Sequence, residues 1–116
     1  MTKPRRGEVW LVDFDPPAGA EMAKTRPAAV MSVDGIGKLP LRIVVPITEW
    51  HSQYADYPWF VHLPATRANG LSKESGANTF QVKSVSEERF RKRLGALSDD
   101  QLDEIAAAIG LCVGIS

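Results

Sequence analysis

Residues able to act on a phosphodiester stand close together early in the chain: Glu21, Lys24 and Arg26, the last within Lys24-Thr25-Arg26-Pro27. A guanidinium stays charged and presents a fork of N–H donors. An arginine at the mouth of an apolar strand therefore either pairs with a carboxylate such as Glu21 or points into a pocket that receives an anion. Pro27 holds the residue before it in extended backbone and so fixes the direction in which the Arg26 side chain leaves. Thr48, at the end of another apolar run, can share that pocket, with the arginine neutralising a scissile phosphate and the hydroxyl holding a phosphate oxygen. Glu21 can take the proton of a ribose 2′-hydroxyl. Spacing alone also fits a plain strand-capping Thr48 and a Glu21 that only orders its loop through an ion pair. His51 and His62 have the ordinary pKa for acid–base work. His62 reads as a residue on a strand face, and His51 falls in a polar loop where Trp50, Tyr54 and Tyr57 offer surfaces on which bases can stack.

These residues need strands to carry them. Glu8 to Phe14 is rich in β-formers, with apolar residues on both faces. Asp15-Pro16-Pro17-Ala18-Gly19-Ala20 stops that strand, and a loop of roughly a dozen residues, long for a hairpin, runs to Arg26. Ala28 to Val33 is the expected second strand, and Asp34 to Pro40 a turn or loop. Leu41 to Ile47 is the third strand, where Pro46 suggests an edge or a bulge. Glu49 to Tyr57 reads as a loop with one helical turn, Pro58 to Pro64 as a fourth strand, and Ala65 to Gly76 as a connection with the turn dipeptide Asn69-Gly70. Ala77 to Val85 reads as one further strand, with Phe80 and Val82 on one face and Gln81 and Lys83 on the other. Ser86-Glu87-Glu88-Arg89 looks like a helix cap opening a short segment that ends at Gly95, and its cluster Arg89, Arg91, Lys92 and Arg93 either touches phosphates or forms a solvated helix face. Ala96-Leu97 adds a short strand. Ser98 with Gln101 has capping-box spacing, and Leu102, Ile105, Ala106 and Ile109 fall on one face of a C-terminal helix that Gly110 bends or ends.

The 116 residues are 44% apolar and 24% charged, the composition of one ordinary globular domain. No run is long enough to cross a bilayer, and the basic tail Met1 to Arg6 is not followed by a signal-like apolar core, so the expected compartment is the cytoplasm. The lone Cys112 forms no internal disulfide and reads as a small buried hydrophobe. His51 and His62 give no metal spacing, so neither a metal nor another cofactor is expected. The net charge is zero, yet every Lys and Arg lies before residue 94, while Asp99, Asp100, Asp103 and Glu104 follow it. The body can attract a polyanion even though the whole chain is not basic.

Arg6-Gly7-Glu8-Val9-Trp10-Leu11-Val12-Asp13-Phe14-Asp15-Pro16, then Gly19-Ala20-Glu21 and Lys24-Thr25-Arg26-Pro27, strongly resembles the opening of the MazF/PemK family of toxin ribonucleases. The resemblance continues through Val45-Pro46-Ile47-Thr48, Gly70 to Ser75, Gln81-Val82-Lys83-Ser84-Val85 and Leu94 to Ser98 into the terminal helix. It implies a mainly β fold, a small SH3-like β-barrel with a C-terminal helix, forming a homodimer. It further implies metal-independent cleavage of single-stranded RNA, often messenger RNA at a short sequence, through a 2′,3′-cyclic phosphate, with a cognate MazE-like antitoxin as inhibitor. The family's pocket arginine falls on Arg26, its strand-end threonine on Thr48, its loop glutamate on Glu21 and its RNA-contacting glutamine on Gln81. Lys24, Trp50, His51 and Lys83 complete the expected RNA surface.

The chain departs from the family where Ala20 replaces a common serine, Phe80 a common acid, and Asn78 an arginine of the PemK branch. The PemK-style scheme using that acid and arginine therefore does not transfer, whereas the scheme built on Arg26 and Thr48 does. Rival readings are a gyrase-poisoning toxin of the same barrel and a catalytically idle RNA-binding module. A loop arginine before proline, joined to a strand-end threonine, favours the ribonuclease.

Overall fold

A computed structural model of the chain describes residues 3–35 and 39–115. Met1 and Thr2 of the expected basic tail, and Ile36, Gly37 and Lys38 of the expected turn, lie outside the described residues. The strands are β1 (Glu8–Asp13), β2 (Thr25–Val30), β3 (Leu41–Glu49), β4 (Phe60–Leu63), β5 (Ser75–Asn78), β6 (Lys83–Ser86) and β7 (Phe90–Ala96), followed by the helix α1 (Asp99–Cys112). All pairings are antiparallel, in the order β4-β5-β3-β2-β1-β7, with β6 also on β3. The result is a mainly β, SH3-like barrel fold with one C-terminal helix, in which the hydrogen-bonded path stays open between β4 and β7. Among the described residues no helix is long and apolar enough to cross a membrane.

Period-two alternation gives the sheet a core on each face. Val9, Ala29, Val45, Ile47, Val61 and Leu63 point to the face covered by α1, where Ile105 and Ala108 are buried. Trp10, Val12, Phe14, Ala28, Val30, Val44, Val85 and Phe90 form the second core. The Ser98 hydroxyl accepts the Gln101 N–H and the Gln101 side chain accepts the Ser98 N–H, so both donors at the start of α1 are satisfied.

Several expectations need correction. The stretch from Ala77 to Val85 is not one strand. Thr79–Gln81 form a 3-10 turn in which Thr79 is buried with its hydroxyl on the Trp59 carbonyl at 2.6 Å, and the chain changes neighbours there from β4 to a separate part of β3. Phe80 and Val82 consequently do not share a face: Phe80 is 67% exposed, while Val82 packs toward the helix-side core. The helical signal at Ser86 yields only the single 3-10 turn Glu87–Arg89, because Phe90 onward pairs with β1. Arg89, Arg91 and Arg93 are therefore not a helix face. Arg91 reaches Asp13 at 3.1 Å, Arg93 reaches Glu8 at 2.8 Å, and Arg89 donates to the Asp13 carbonyl at 3.1 Å.

Strand β2 starts at Thr25 rather than Ala28, so Arg26 and Pro27 lie inside it. Pro46 is not on an edge strand, since β3 has neighbours on both sides. On one side β3 passes from β6, paired through Val44, to β5, paired from Ile47, and a missing N–H is tolerated at that handover. In α1, Ala106 is exposed and Ala108 takes its place in the core, while the helix runs through Gly110 to Cys112. Cys112 is half-buried, its sulfur 3.6 Å from the Thr79 hydroxyl.

Glu8 ties β1 to its neighbour β7 and to the chain that precedes it. Its Oε1 accepts from the Trp10 indole at 2.9 Å and the Arg5 N–H at 2.8 Å, and its Oε2 accepts from Arg93 at 2.8 Å. Burial pushes the carboxyl up, but the donors from Trp10, Arg5 and Arg93 outweigh it and hold the group below its ordinary value of 4.5. A depressed carboxylate stabilises the fold fully above the unfolded pKa and loses that contribution as pH falls through the folded one. Glu8→Gln is expected to cost about 1–2 kcal/mol at neutral pH and to flatten the acid limb of the stability curve below about pH 5. Urea denaturation across pH measures both.

Candidate active site

The β2–β3 ladder contains only Ala28↔Pro46, Ala29↔Val45 and Val30↔Val44. Continued by two residues in the same register, it would set Arg26 opposite Thr48. The ladder ends first, because Pro27 and Pro46 each lack a donor and β3 swings away to pair with β5 from Ile47. The strands splay, and their side chains bridge the gap: Arg26 Nη1 donates to Thr48 Oγ1 at 3.3 Å. Arg26 Nε donates to the Ala23 carbonyl at 2.8 Å, which orients the guanidinium plane. Among the described residues, Nη2 makes no protein hydrogen bond and Arg26 has no carboxylate partner. Both side chains are half-buried, so the polar gap lies where the second core gives out.

The row holding these residues crosses the sheet. Arg26 stands beside Val12 and then Phe90, and Thr48 stands beside Gly76 and then His62. Gly76 is bare for a reason: a Cβ there would lie 2.9 Å from the Trp50 ring and 3.1 Å from Phe60. The indole thus lies over the backbone next to Thr48, 4.5 Å from the His62 ring, which itself contacts Glu74. His51 is exposed and meets Tyr54 edge-on at 5.3 Å. Tyr54 stacks on Phe60 at 3.9 Å and Tyr57 on Trp59 at 4.8 Å, so the aromatic residues of the polar loop form one continuous array.

The loop between β1 and β2 is strapped down on the other side of the gap. Glu21 Oε1 accepts the Ala18 N–H at 2.8 Å and its Oε2 lies 3.7 Å from Lys83 Nζ, so Glu21 pairs with Lys83 and not with Arg26. Gln81 spends its amide on this loop, accepting the Met22 N–H at 2.7 Å and donating to the Ala20 carbonyl at 3.5 Å. Lys24 is exposed, in left-handed backbone with φ 69°, and its N–H is held by Asp15 at 2.7 Å. That turn delivers the chain into β2 just before Arg26. A cavity of about 390 Å³ remains, bounded by Phe14, Glu21, Pro46, Phe80, Gln81 and Lys83. A larger cleft of about 910 Å³ lies at the far end of β3, around Met31, Arg42 and Ile43. Neither cavity is lined by Arg26 or Thr48; the smaller one adjoins them only through Pro46, two residues before Thr48, so volume does not mark the chemistry here.

The structure thus joins Arg26 to Thr48, and Glu21 to Lys83 with Gln81 on the same loop, while Trp50 and His51 flank the far side of Thr48. Neither the bare Gly76 under the indole nor the outward direction of the Phe80 ring is encoded by period or motif. The unusual aromatic before Gln81 was the available signal for the second. Among the described residues no group of three or more His, Cys, Asp or Glu is placed to hold a metal ion.

Residues 5–113 match the family model for PemK-like, MazF-like toxins of type II toxin–antitoxin systems. The chain is 35% identical over 113 residues to endoribonuclease MazF9 of Mycobacterium tuberculosis, covering 92% of this chain and 93% of that one. Its fold superposes on the crystal structure of MazF (form I) from Deinococcus radiodurans with a TM-score of 0.84 at 27% identity, covering 99% of this chain and all of the other. A MazE–MazF crystal structure (form III) from the same organism gives a TM-score of 0.77 at 27% identity, again over 99% of this chain and all of that one. With the match running from the first strand through the terminal helix, the chain belongs to the PemK-like, MazF-like toxin family of type II toxin–antitoxin systems.

Proposed function

We propose that this toxin is an endoribonuclease that cuts single-stranded RNA, messenger RNA included, at a specific sequence and without a metal. The observation that carries the reading is the Arg26–Thr48 contact across the unpaired end of the β2–β3 ladder, with guanidinium N–H groups left free for an anion. The 2′-hydroxyl loses its proton and attacks the adjacent phosphorus, the P–O5′ bond breaks and the departing 5′ oxygen takes a proton from water, giving a 2′,3′-cyclic phosphate and a 5′-hydroxyl. Arg26 neutralises the charge that builds on the phosphoryl oxygens and Thr48 donates to one of them. An arginine rarely gives up its proton, so Arg26 serves as an electrostatic group and not as the base. Glu21, oriented by the Ala18 N–H and by Lys83, takes the 2′ proton. Lys24, Trp50, His51, Gln81 and Lys83 contact the RNA on either side.

The 116 residues act as a single toxin domain, in the cytoplasm, as a homodimer restrained by a cognate MazE-like antitoxin. The MazE–MazF structure of the Deinococcus relative supports the antitoxin, and the exposed Leu111 and Val113 at the end of α1 provide apolar surface for a protein contact.

Incubated with a broad RNA pool in excess EDTA, the protein is expected to leave cyclic-phosphate and 5′-hydroxyl ends. Arg26→Ala and Thr48→Ala should each lower the rate at least about tenfold with unchanged circular dichroism. Intact RNA under those conditions rejects the reading. Gln81→Ala is expected to loosen the β1–β2 loop, so that limited proteolysis between residues 16 and 24 accelerates by about fivefold or more while the melting temperature moves little.

A further inference from the structure

We infer that Phe80 is a specificity-determining residue of this toxin, its outward ring forming the platform on which a nucleobase next to the scissile phosphate stacks. The inference rests on the ribonuclease reading above. An isolated exposed apolar side chain is ordinary, but Phe80 is not free to fold away. On one side Thr79 is fully buried, with its N–H and hydroxyl both on the Trp59 carbonyl at 3.1 and 2.6 Å. On the other side Gln81 is tied through its amide to Met22 and Ala20. With both neighbours anchored inside one 3-10 turn, the ring of Phe80 is turned outward, 67% exposed.

It stands edge-on to Trp59 at 6.2 Å, which braces it and joins it to the Tyr57 stack. Its position is tied to the proposed chemistry through Pro46, which lines the same cavity and lies two residues before Thr48 on the same face of β3, a separation of about 7 Å. Lys83 and Glu21 share the cavity wall, so a base resting on Phe80 has a cation and a carboxylate at its edge, and the strand that carries Pro46 leads on to Thr48. An aromatic face braced from behind, beside a cation and open to solvent, suits an unpaired base better than an aliphatic protein side chain.

The cut motif of wild-type protein is first mapped by sequencing cleaved ends from a randomised RNA. An octamer carrying that motif, 2′-O-methylated throughout so that it cannot be cut, then serves as the binding probe in fluorescence anisotropy. Phe80→Ala is expected to weaken binding about tenfold and to erase the preference at one position adjoining the cut. Phe80→Tyr or Phe80→Trp should restore both, and thermal melts should coincide for all variants. Wild-type protein that binds and cuts while Phe80→Ala has the same affinity and motif overturns this inference and leaves the ribonuclease reading standing. A Phe80→Ala protein that binds RNA normally but changes oligomeric mass in light scattering assigns the ring to a protein contact and overturns it too. Wild-type protein that neither binds nor cuts removes the ribonuclease reading, and the platform with it.

Discussion

The site depends on a ladder that stops early. Antiparallel strands close by exchanging N–H and C=O groups in sequence, and β2 and β3 do so for three residue pairs before Pro27, Pro46 and the turn of β3 toward β5 end the exchange. The next residues in register, Arg26 and Thr48, face each other without a backbone bond between their strands. A break in the ladder made in this way is part of the sheet's own geometry. The groups that line it are held by strands paired firmly on their other edges, Arg26 by Val12 and Thr48 by Gly76. Such rigid support is what a site needs when its function is to hold charge in one place.

Around that break the polar groups are directed mostly at keeping backbone in position. Gln81 and Glu21 each bind main-chain groups of the β1–β2 loop, and Arg26 itself uses Nε to hold the loop's last carbonyl before Lys24. Loop and guanidinium are thereby coupled: displacement of Ala23 rotates the arginine, and rotation of the arginine frees Ala23. The arginines of β7 are coupled to the other end of the loop, where the Asp15 N–H and, after it, Arg91 hold the Asp13 carboxylate below its usual range. Among the described residues many of the cations are thus paired within the fold, Lys83 with Glu21 included. Lys24, Arg26 and Lys83 are the nearest to the gap.

What could be read in the sequence was whatever local chemistry decides. The Ser98–Gln101 box fixes the start of α1 wherever the helix ends up, and the apolar runs of β1 and β3 announce themselves by type and spacing. The strand assignment failed between Ala77 and Val85 because alternation there is interrupted by a tertiary event, the burial of Thr79 against Trp59, that no period reveals. It failed again at Ser86, where a good local cap competes with a partner strand many residues away and the long-range pairing wins. In α1 the substitution of Ala108 for Ala106 in the core reflects which side of the helix the sheet meets, information that Ala106, Ala107 and Ala108 together do not encode. Arg26 and Thr48 were recognisable as residues through the family resemblance, but their alignment depends on the β2–β3 register, which only pairing fixes. The use of the Gln81 amide on loop backbone likewise follows from a contact between segments about sixty residues apart.

The placement of α1 has an electrostatic consequence. It packs on the face of the sheet opposite the second core, and Asp99, Asp103 and Glu104 lie on its exposed surface, whereas Lys24, Arg26 and Lys83 gather where the other face ends. The exposed surface of the helix is therefore locally acidic although the chain carries no net charge, and it repels a polyanion approaching from that side. Raising ionic strength shortens the reach of that repulsion to a few ångströms.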